Sequence, residues 1–278
     1  MRQLLLAPFA LLALAPGARA ADDPPAWVKP MKAVHAKFTG KPGTLALFGD
    51  SITDSLAFWA PLEYAPKEVP AEIAKSLDVV KKHMIADCWR KWRGGAYGNE
   101  GRQTAQWAED NIDAWLKKLN PECAVIMFGT NDLNGSDEKT YDKRMRAVVE
   151  KCLKNGTVVI LTTIPPRAGQ EEKAKAFAEV ARKIATDLKL PLVDYYAEIL
   201  KRRPDDWNGA LPKFKAFEKD VYQVPTLISA DGVHPSAPSK FADYSAEALK
   251  NNGYQLRSVL TLHAYADVIA RVLTAKDR

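Results

Sequence analysis

Cysteine is scarce in this 278-residue chain: Cys88, Cys123 and Cys152 make an odd count with no C-x-x-C spacing. That argues against a disulfide framework and against a structural zinc site. Histidine is limited to four residues, His35, His83, His234 and His263, so any histidine-dependent chemistry has few places to sit. No stretch approaches eighteen uninterrupted apolar residues, which excludes an ordinary membrane-spanning helix. There is no internal repeat or low-complexity tract, and so no solenoid or array. Blocks of one charge are also lacking. Lys and Arg alternate with Asp and Glu through segments such as 170–189, the pattern of solvated helix faces, and the formal charge of +6 is too modest to imply a nucleic-acid partner.

What is present begins with an export signature. Arg2, the apolar run 4–14 and the small-residue stretch 16–21 resemble a signal peptide with an A-x-A cleavage site, placed after Ala20. A secreted or periplasmic protein is therefore expected. Removal of Arg2 and Arg19 lowers the charge from +6 to +4, because residues 1–20 contain no acid. The mature chain 21–278 is long enough for one substantial core and is read as a single domain starting in earnest near residue 44. Cys123 opens an apolar run and Cys152 lies on an apolar helical stripe, so both read as small core hydrophobes; oxidation of one cysteine pair after export stays open.

Short apolar runs at 44–48, 123–128, 157–164 and 191–195 are each bounded by turn residues, as strands buried on both faces are. Between them, Ala108, Ile112, Trp115, Leu116 and Leu119 recur at helical steps, as do Tyr141, Met145, Val148, Val149 and Cys152. Further helices are expected over 174–188 and 262–273, and the lead-in 22–41 is expected to wrap the surface. Alternating strands and helices imply an α/β fold whose central sheet is mostly parallel, with helices on both faces. In such sheets ligands bind beyond the carboxyl ends of the strands, which points to the segments after Phe48 and Phe128.

Those segments carry the chemistry. Ser51, in Gly49-Asp50-Ser51, sits at a strand-to-helix turn where backbone N–H groups favour developing negative charge, but its hydroxyl needs a base. His234, in Asp231-Gly232-Val233-His234-Pro235, lies in a turn before the C-terminal helices, with Asp231 close enough to hold its ring. The other three histidines read as surface or packing residues. Asn131, in Gly129-Thr130-Asn131-Asp132, can present a side-chain amide, and Gly101 lets backbone approach a substrate closely.

Taken in order, these four motifs closely resemble the SGNH hydrolase family, also called GDSL esterases and lipases, from about residue 44 to the C-terminus. The resemblance implies a three-layer, flavodoxin-like α/β/α sandwich with a central, mostly parallel sheet, and no metal or organic cofactor. It implies Ser51 as nucleophile, His234 as base and Asp231 as its partner, with Ser51, Gly101 and Asn131 donating to the oxyanion. An alternative register of the glycine motif, in which Glu100 stands where a serine is common, puts Thr104 at the oxyanion position. Asp50, Trp59 and Asp132 are expected to border the substrate cleft. Two segments are longer than the family's simplest form, 55–95 and 236–260, the latter with an expected turn at Asn251-Asn252-Gly253-Tyr254. The first carries Phe58, Trp59, Tyr64, Trp89 and Trp92, mostly core by size, with Trp59 pictured as a cleft wall.

The expected function is hydrolysis of acyl esters, first of all O-acetyl or O-acyl esters of carbohydrates, by a monomer or weak oligomer. A lipase, lysophospholipase or thioesterase of the same family is the alternative, then a non-catalytic carbohydrate-binding protein. A dinuclear metallophosphoesterase is disfavoured because no early Asp-x-His and no histidine after Asn131 supplies its ligands.

Overall fold

The computed structural model describes residues 23–65, 69–238 and 243–274; the expected signal peptide lies outside them. Four parallel strands, β1 (Leu45–Gly49), β2 (Cys123–Met127), β3 (Val158–Thr162) and β4 (Leu192–Val193), pair in that order. Every residue of β1, β2 and β3 is buried, which explains why their sequences are unbroken apolar runs instead of alternating ones. The helices are α1 (Val28–His35), α2 (Ser51–Asp54), α3 (Ala71–His83), α4 (Asp87–Arg90) and α5 (Ala105–Leu119). After them come α6 (Glu138–Lys154), α7 (Glu171–Asp187), α8 (Tyr195–Arg202), α9 (Ala248–Asn251) and α10 (Gly253–Val268), which runs into a π-helical turn at Ile269–Leu273. Helices α5, α6 and α7 pack side by side as one row, and α3 and α10, with α1 against the π-helical turn, form a second. The sheet lies between them, giving the expected α/β/α layering.

The strand order holds a further detail. On the side of β1 away from β2, Asn99 makes a single parallel bridge to Gly49: Gly49 N–H donates to Gly98 O at 3.0 Å and Glu100 N–H to Gly49 O at 3.2 Å. The Asn99 amide also donates to Leu47 O at 2.9 Å. Gly98 permits this approach, because at φ +83° a Cβ there would lie 2.3 Å from the Phe48 ring. Asn99 thus stands in for an outer strand, and the chain steps to one side of β1 before returning to the other. That reversal creates a crevice between the carboxyl ends of β1 and β2.

The differences from the sequence reading have physical causes. The lead-in holds α1, whose Val28 and Met31 are buried; Pro30 is tolerated because it falls in the first turn, where its N–H is not needed. In the long segment after Ser55, Ile73, Leu77 and Val80 of α3 bury one stripe against α10. Helix α10 begins at Gly253, earlier than expected, and buries residues all round, so it has no polar face to announce it. Strand β4 is short because Asp194 turns the chain into α8, its side chain accepting the Ala197 N–H at 3.1 Å.

At the opposite rim of the sheet, Glu122 ties four elements together. His35 and His83, each the last residue of its helix, bring Nε2 to within 2.9 Å of its two carboxyl oxygens, and Gly43 N–H donates at 2.6 Å. Burial pushes this carboxyl up, but the hydrogen bonds from His35, His83 and Gly43 outweigh burial and bring its pKa down to about 2. Cys88, Cys123 and Cys152 are all buried and unpaired with one another. No helix among the described residues is long and apolar enough to cross a membrane.

Candidate active site

The carboxyl end of β1 delivers Ser51 as the first residue of α2. Asp50 is the N-cap, its Oδ1 accepting the Ile52 N–H at 3.0 Å, while Thr53 and Asp54 donate to its carbonyl at 2.9 Å. This fixes the turn, and the leading N–H groups of such a turn have no intrahelical acceptors. Ser51 Oγ lies 3.0 Å from His234 Nε2, across 183 residues of sequence.

The His234 ring is oriented by Asp231. Oδ1 of Asp231 accepts Ser229 Oγ–H at 2.6 Å, Val233 N–H at 2.8 Å and His234 N–H at 2.9 Å, which leaves Oδ2 for His234 Nδ1 at 2.7 Å. Burial alone raises this carboxyl, but the four donated hydrogen bonds dominate and hold it well below the usual carboxylate range, so it is ionised at neutral pH. An ionised carboxylate can only accept, so Nδ1 carries the proton. Nε2 of the neutral ring then presents its lone pair to Ser51 Oγ–H.

Gly101 lies beside the serine: a Cβ built on it would be 3.9 Å from Ser51 Cβ. Asn131 donates one amide hydrogen to Gln103 O at 2.8 Å, which links the loop after β2 to the segment after Gly101 and leaves a second hydrogen. Thr104, the residue of the alternative register, caps α5, its Oγ1 accepting the Trp107 N–H.

The three residues expected to border the cleft are buried. Trp59 is fully buried, stacked on Trp89 at 5.2 Å between ring centroids and edge-on to Tyr265, because its left-handed backbone at φ +66° turns the chain inward after α2. Asp132 is buried with both carboxyl oxygens on the Ala105 N–H at 3.0 and 3.1 Å, so it joins the loop after β2 to the start of α5. Asp50 is fully buried under the turn that carries Ser51, and burial, opposed by the Ile52 N–H and the nearby Arg257, pushes its pKa up to about 6.

Two arginines hold the other end of α2, and no motif around either one signals this role. Arg93 Nη1 donates to Thr53 O, Asp54 O and Ser55 O at 3.1, 2.8 and 3.1 Å, and its Nη2 to Phe58 O at 2.8 Å. Arg257, fully buried in α10, donates to Ile52 O at 2.8 Å and Thr53 Oγ1 at 3.0 Å, with its guanidinium 3.8 Å from the Phe58 ring centroid. Together they supply donors and positive charge where a helix end presents carbonyls.

A cavity of about 430 Å³ opens beside Ser51 and His234, walled by Tyr222, Gln223, Asp220, Tyr254 and Ser55. The Tyr222 ring stands edge-on to His234, 6.1 Å away. The aromatic surface at the site therefore comes from Tyr222 and from Tyr254 at the start of α10, not from the aromatics of the segment after Ser55. The sequence signal was the length of the irregular stretch 203–230, since long loops inside a compact fold are commonly functional.

Known proteins resemble this chain in sequence and fold. Residues 47–238 match the model of the GDSL-like Lipase/Acylhydrolase family. Thioesterase 1/protease 1/lysophospholipase L1 of Escherichia coli (strain K12) is 20% identical over 172 residues, 60% of this chain and 72% of its own. The solved lipase/acylhydrolase from Enterococcus faecalis superposes with a TM-score of 0.50 at 18% identity, covering 80% of this chain and 94% of that one, a likeness of fold. A catalytic mutant of an acetylxylan esterase from Geobacillus stearothermophilus superposes with a TM-score of 0.46 at 15% identity, over 84% of this chain and 96% of that one. With the family model spanning most of the sequence, this chain belongs to the GDSL-like Lipase/Acylhydrolase family, whose members hydrolyse ester bonds.

Proposed function

We propose that the protein is an exported serine esterase acting on O-acyl esters of carbohydrates. The observation that carries this reading is the relay of Ser51 Oγ to His234 Nε2 at 3.0 Å and His234 Nδ1 to Asp231 Oδ2 at 2.7 Å, on the wall of a cavity. Ser51 Oγ attacks the ester carbonyl carbon as His234 Nε2 takes its proton. The tetrahedral oxyanion is met by the N–H groups of Ser51 and Gly101 and the second amide hydrogen of Asn131. His234 returns the proton to the departing alcohol, which leaves acyl-Ser51. Water then attacks with the same base, releasing the acid and restoring the serine. Asp231 stabilises the imidazolium in both halves of the cycle.

Support for a sugar ester comes from the walls. Tyr222 and Tyr254 offer aromatic surface beside Gln223, Asp220 and Ser55, a mixture suited to a ring with an apolar face and hydroxyl edges. The test is turnover of p-nitrophenyl acetate. It is expected to survive EDTA, to be blocked by a serine-directed organophosphate, and to fall by at least about a thousandfold in Ser51→Ala and His234→Ala with folding retained. Full-rate hydrolysis by either variant would end the proposal. Acetylated sugars outpacing fatty-acyl esters and thioesters supports the carbohydrate assignment; the reverse order replaces it with the lipase or thioesterase reading.

A further inference from the structure

Next to the cavity that holds Ser51 and His234 lies a larger one, of about 690 Å³. Gln223 lines both, while Ala237 faces the first and its chain neighbour Pro238 the second. The Ala237 N–H donates to Tyr222 O at 2.8 Å and Gln223 Nε2 donates to Ala237 O at 3.4 Å. The two segments that line both cavities are thus bonded to each other, and a ligand reaching from one cavity to the other would pass over them.

The larger cavity has two kinds of wall. Phe214 and Phe217, partly exposed on the 3-10 helix Pro212–Phe217, form an apolar side with Pro225 and Pro238. The polar lining includes Asp243, Glu247, Asn251 and Asn252. This polar side is fixed in place. Arg203 donates to Asn251 Oδ1 at 2.5 Å and to Pro225 O at 2.6 Å, Asn251 Nδ2 donates to Glu247 Oε1 at 2.9 Å, and Asn252 caps α10 through the Gln255 N–H.

Each class of ligand meets these walls differently. An acyl chain would lie against the carboxylates of Asp243 and Glu247 and offer them no hydrogen-bond donor. An anionic ligand would face two carboxylates, and among the described residues the cation lining the cavity, Arg203, is already bidentate on Asp206 at 2.9 and 2.7 Å. A neutral sugar places its C–H face on the phenyl rings and its hydroxyls toward carboxylates and amides. The geometry points to the second cavity as the seat of a neighbouring neutral sugar unit of the glycan whose acyl group is held at Ser51. This rests on the serine-esterase reading above and adds to it a main-chain subsite with Phe214 and Phe217 as its platform.

The experiment compares kcat/KM on acetylated xylo-oligosaccharides with that on acetylated xylose, in the full protein and in Phe214→Ala/Phe217→Ala. Because the two phenylalanines sit on a surface helix, the variant is expected to fold, which p-nitrophenyl acetate turnover and the melting temperature report. The native protein is expected to favour the oligosaccharide by about tenfold or more, carried in KM, and the variant to lose most of that ratio. A ratio near one in the native protein, or the same ratio in both proteins, overturns the subsite while leaving the Ser51 chemistry intact. A variant whose acyl-length preference changes while its sugar-length ratio does not overturns it in favour of an acyl pocket. Absence of p-nitrophenyl acetate turnover in the native protein is instead the failure of the esterase reading itself.

Discussion

Replacing Arg93 with alanine tests whether the turn that carries Ser51 is held from behind. The side chain donates four hydrogen bonds, to Thr53 O, Asp54 O, Ser55 O and Phe58 O, at 2.8–3.1 Å. Hydrogen bonds to charged groups contribute about 1.5–3 kcal/mol each. The residue is partly exposed, so water replaces some of these donors and the full sum is not expected. A loss of about 2–4 kcal/mol is the reasonable figure, read as a fall in melting temperature of roughly 5–12 °C. Arg257 still grips Ile52 O and Thr53 Oγ1, so the turn should survive but wander. Ser51 Oγ has only its 3.0 Å contact with His234 Nε2 to lose, and a displacement of about 1 Å costs on the order of a hundredfold in rate. Steady-state kinetics on p-nitrophenyl acetate should therefore show kcat reduced about 10- to 100-fold with KM little changed. Added guanidinium ion should restore part of it, because the vacated site opens to solvent. A variant that melts earlier with unaltered kcat, or one that guanidinium does not improve, would refute the idea that this clamp positions the serine.

Two further predictions concern pH. Glu122, with its pKa brought from 4.5 to about 2, contributes stability that is present above about pH 4.5 and lost as pH falls toward 2. Denaturant titrations should show Glu122→Gln less stable by roughly 3 kcal/mol at pH 7 and the difference shrinking through that acid window; a constant difference would refute the linkage. Asp50 has the opposite sign. Its pKa is raised from 3.8 to about 6, so the folded state binds its proton more tightly and loses stability as pH rises from about 4 to 6. Asp50→Asn should abolish that slope, of order 2–3 kcal/mol, and an identical slope in both proteins would show that another group titrates there.

The candidate site was readable in the sequence because its first and third motifs follow apolar runs that read as buried strands. Gly49-Asp50-Ser51 closes β1, and Gly129-Thr130-Asn131-Asp132 follows β2. Side-chain direction was not readable in the same way. Proximity in sequence suggested that Trp59 faces the cleft near Ser51, yet one left-handed residue sends it into the core. Asp50 and Asp132 sit at the site but point into the protein, where they accept backbone N–H groups. The roles of Arg93 and Arg257 depend on contacts spanning tens to hundreds of residues, which leave no local pattern. Tyr222, Phe214 and Phe217 lie in a stretch with no helical or strand period, and that stretch is tied to the segment carrying His234 by Ala230 N–H to Val221 O at 2.9 Å and Ala237 N–H to Tyr222 O at 2.8 Å.

The single bridge made by Asn99 has a consequence away from catalysis. A bare strand at the margin of a sheet invites pairing with another chain, the route to edge-to-edge aggregation. Here the Leu47 carbonyl is taken by the Asn99 amide, and both polar groups of Gly49 on that side are taken by Gly98 and Glu100. The loop that leads to Gly101 therefore also plugs the margin of β1, and this end of the sheet is closed to a strand from a second molecule.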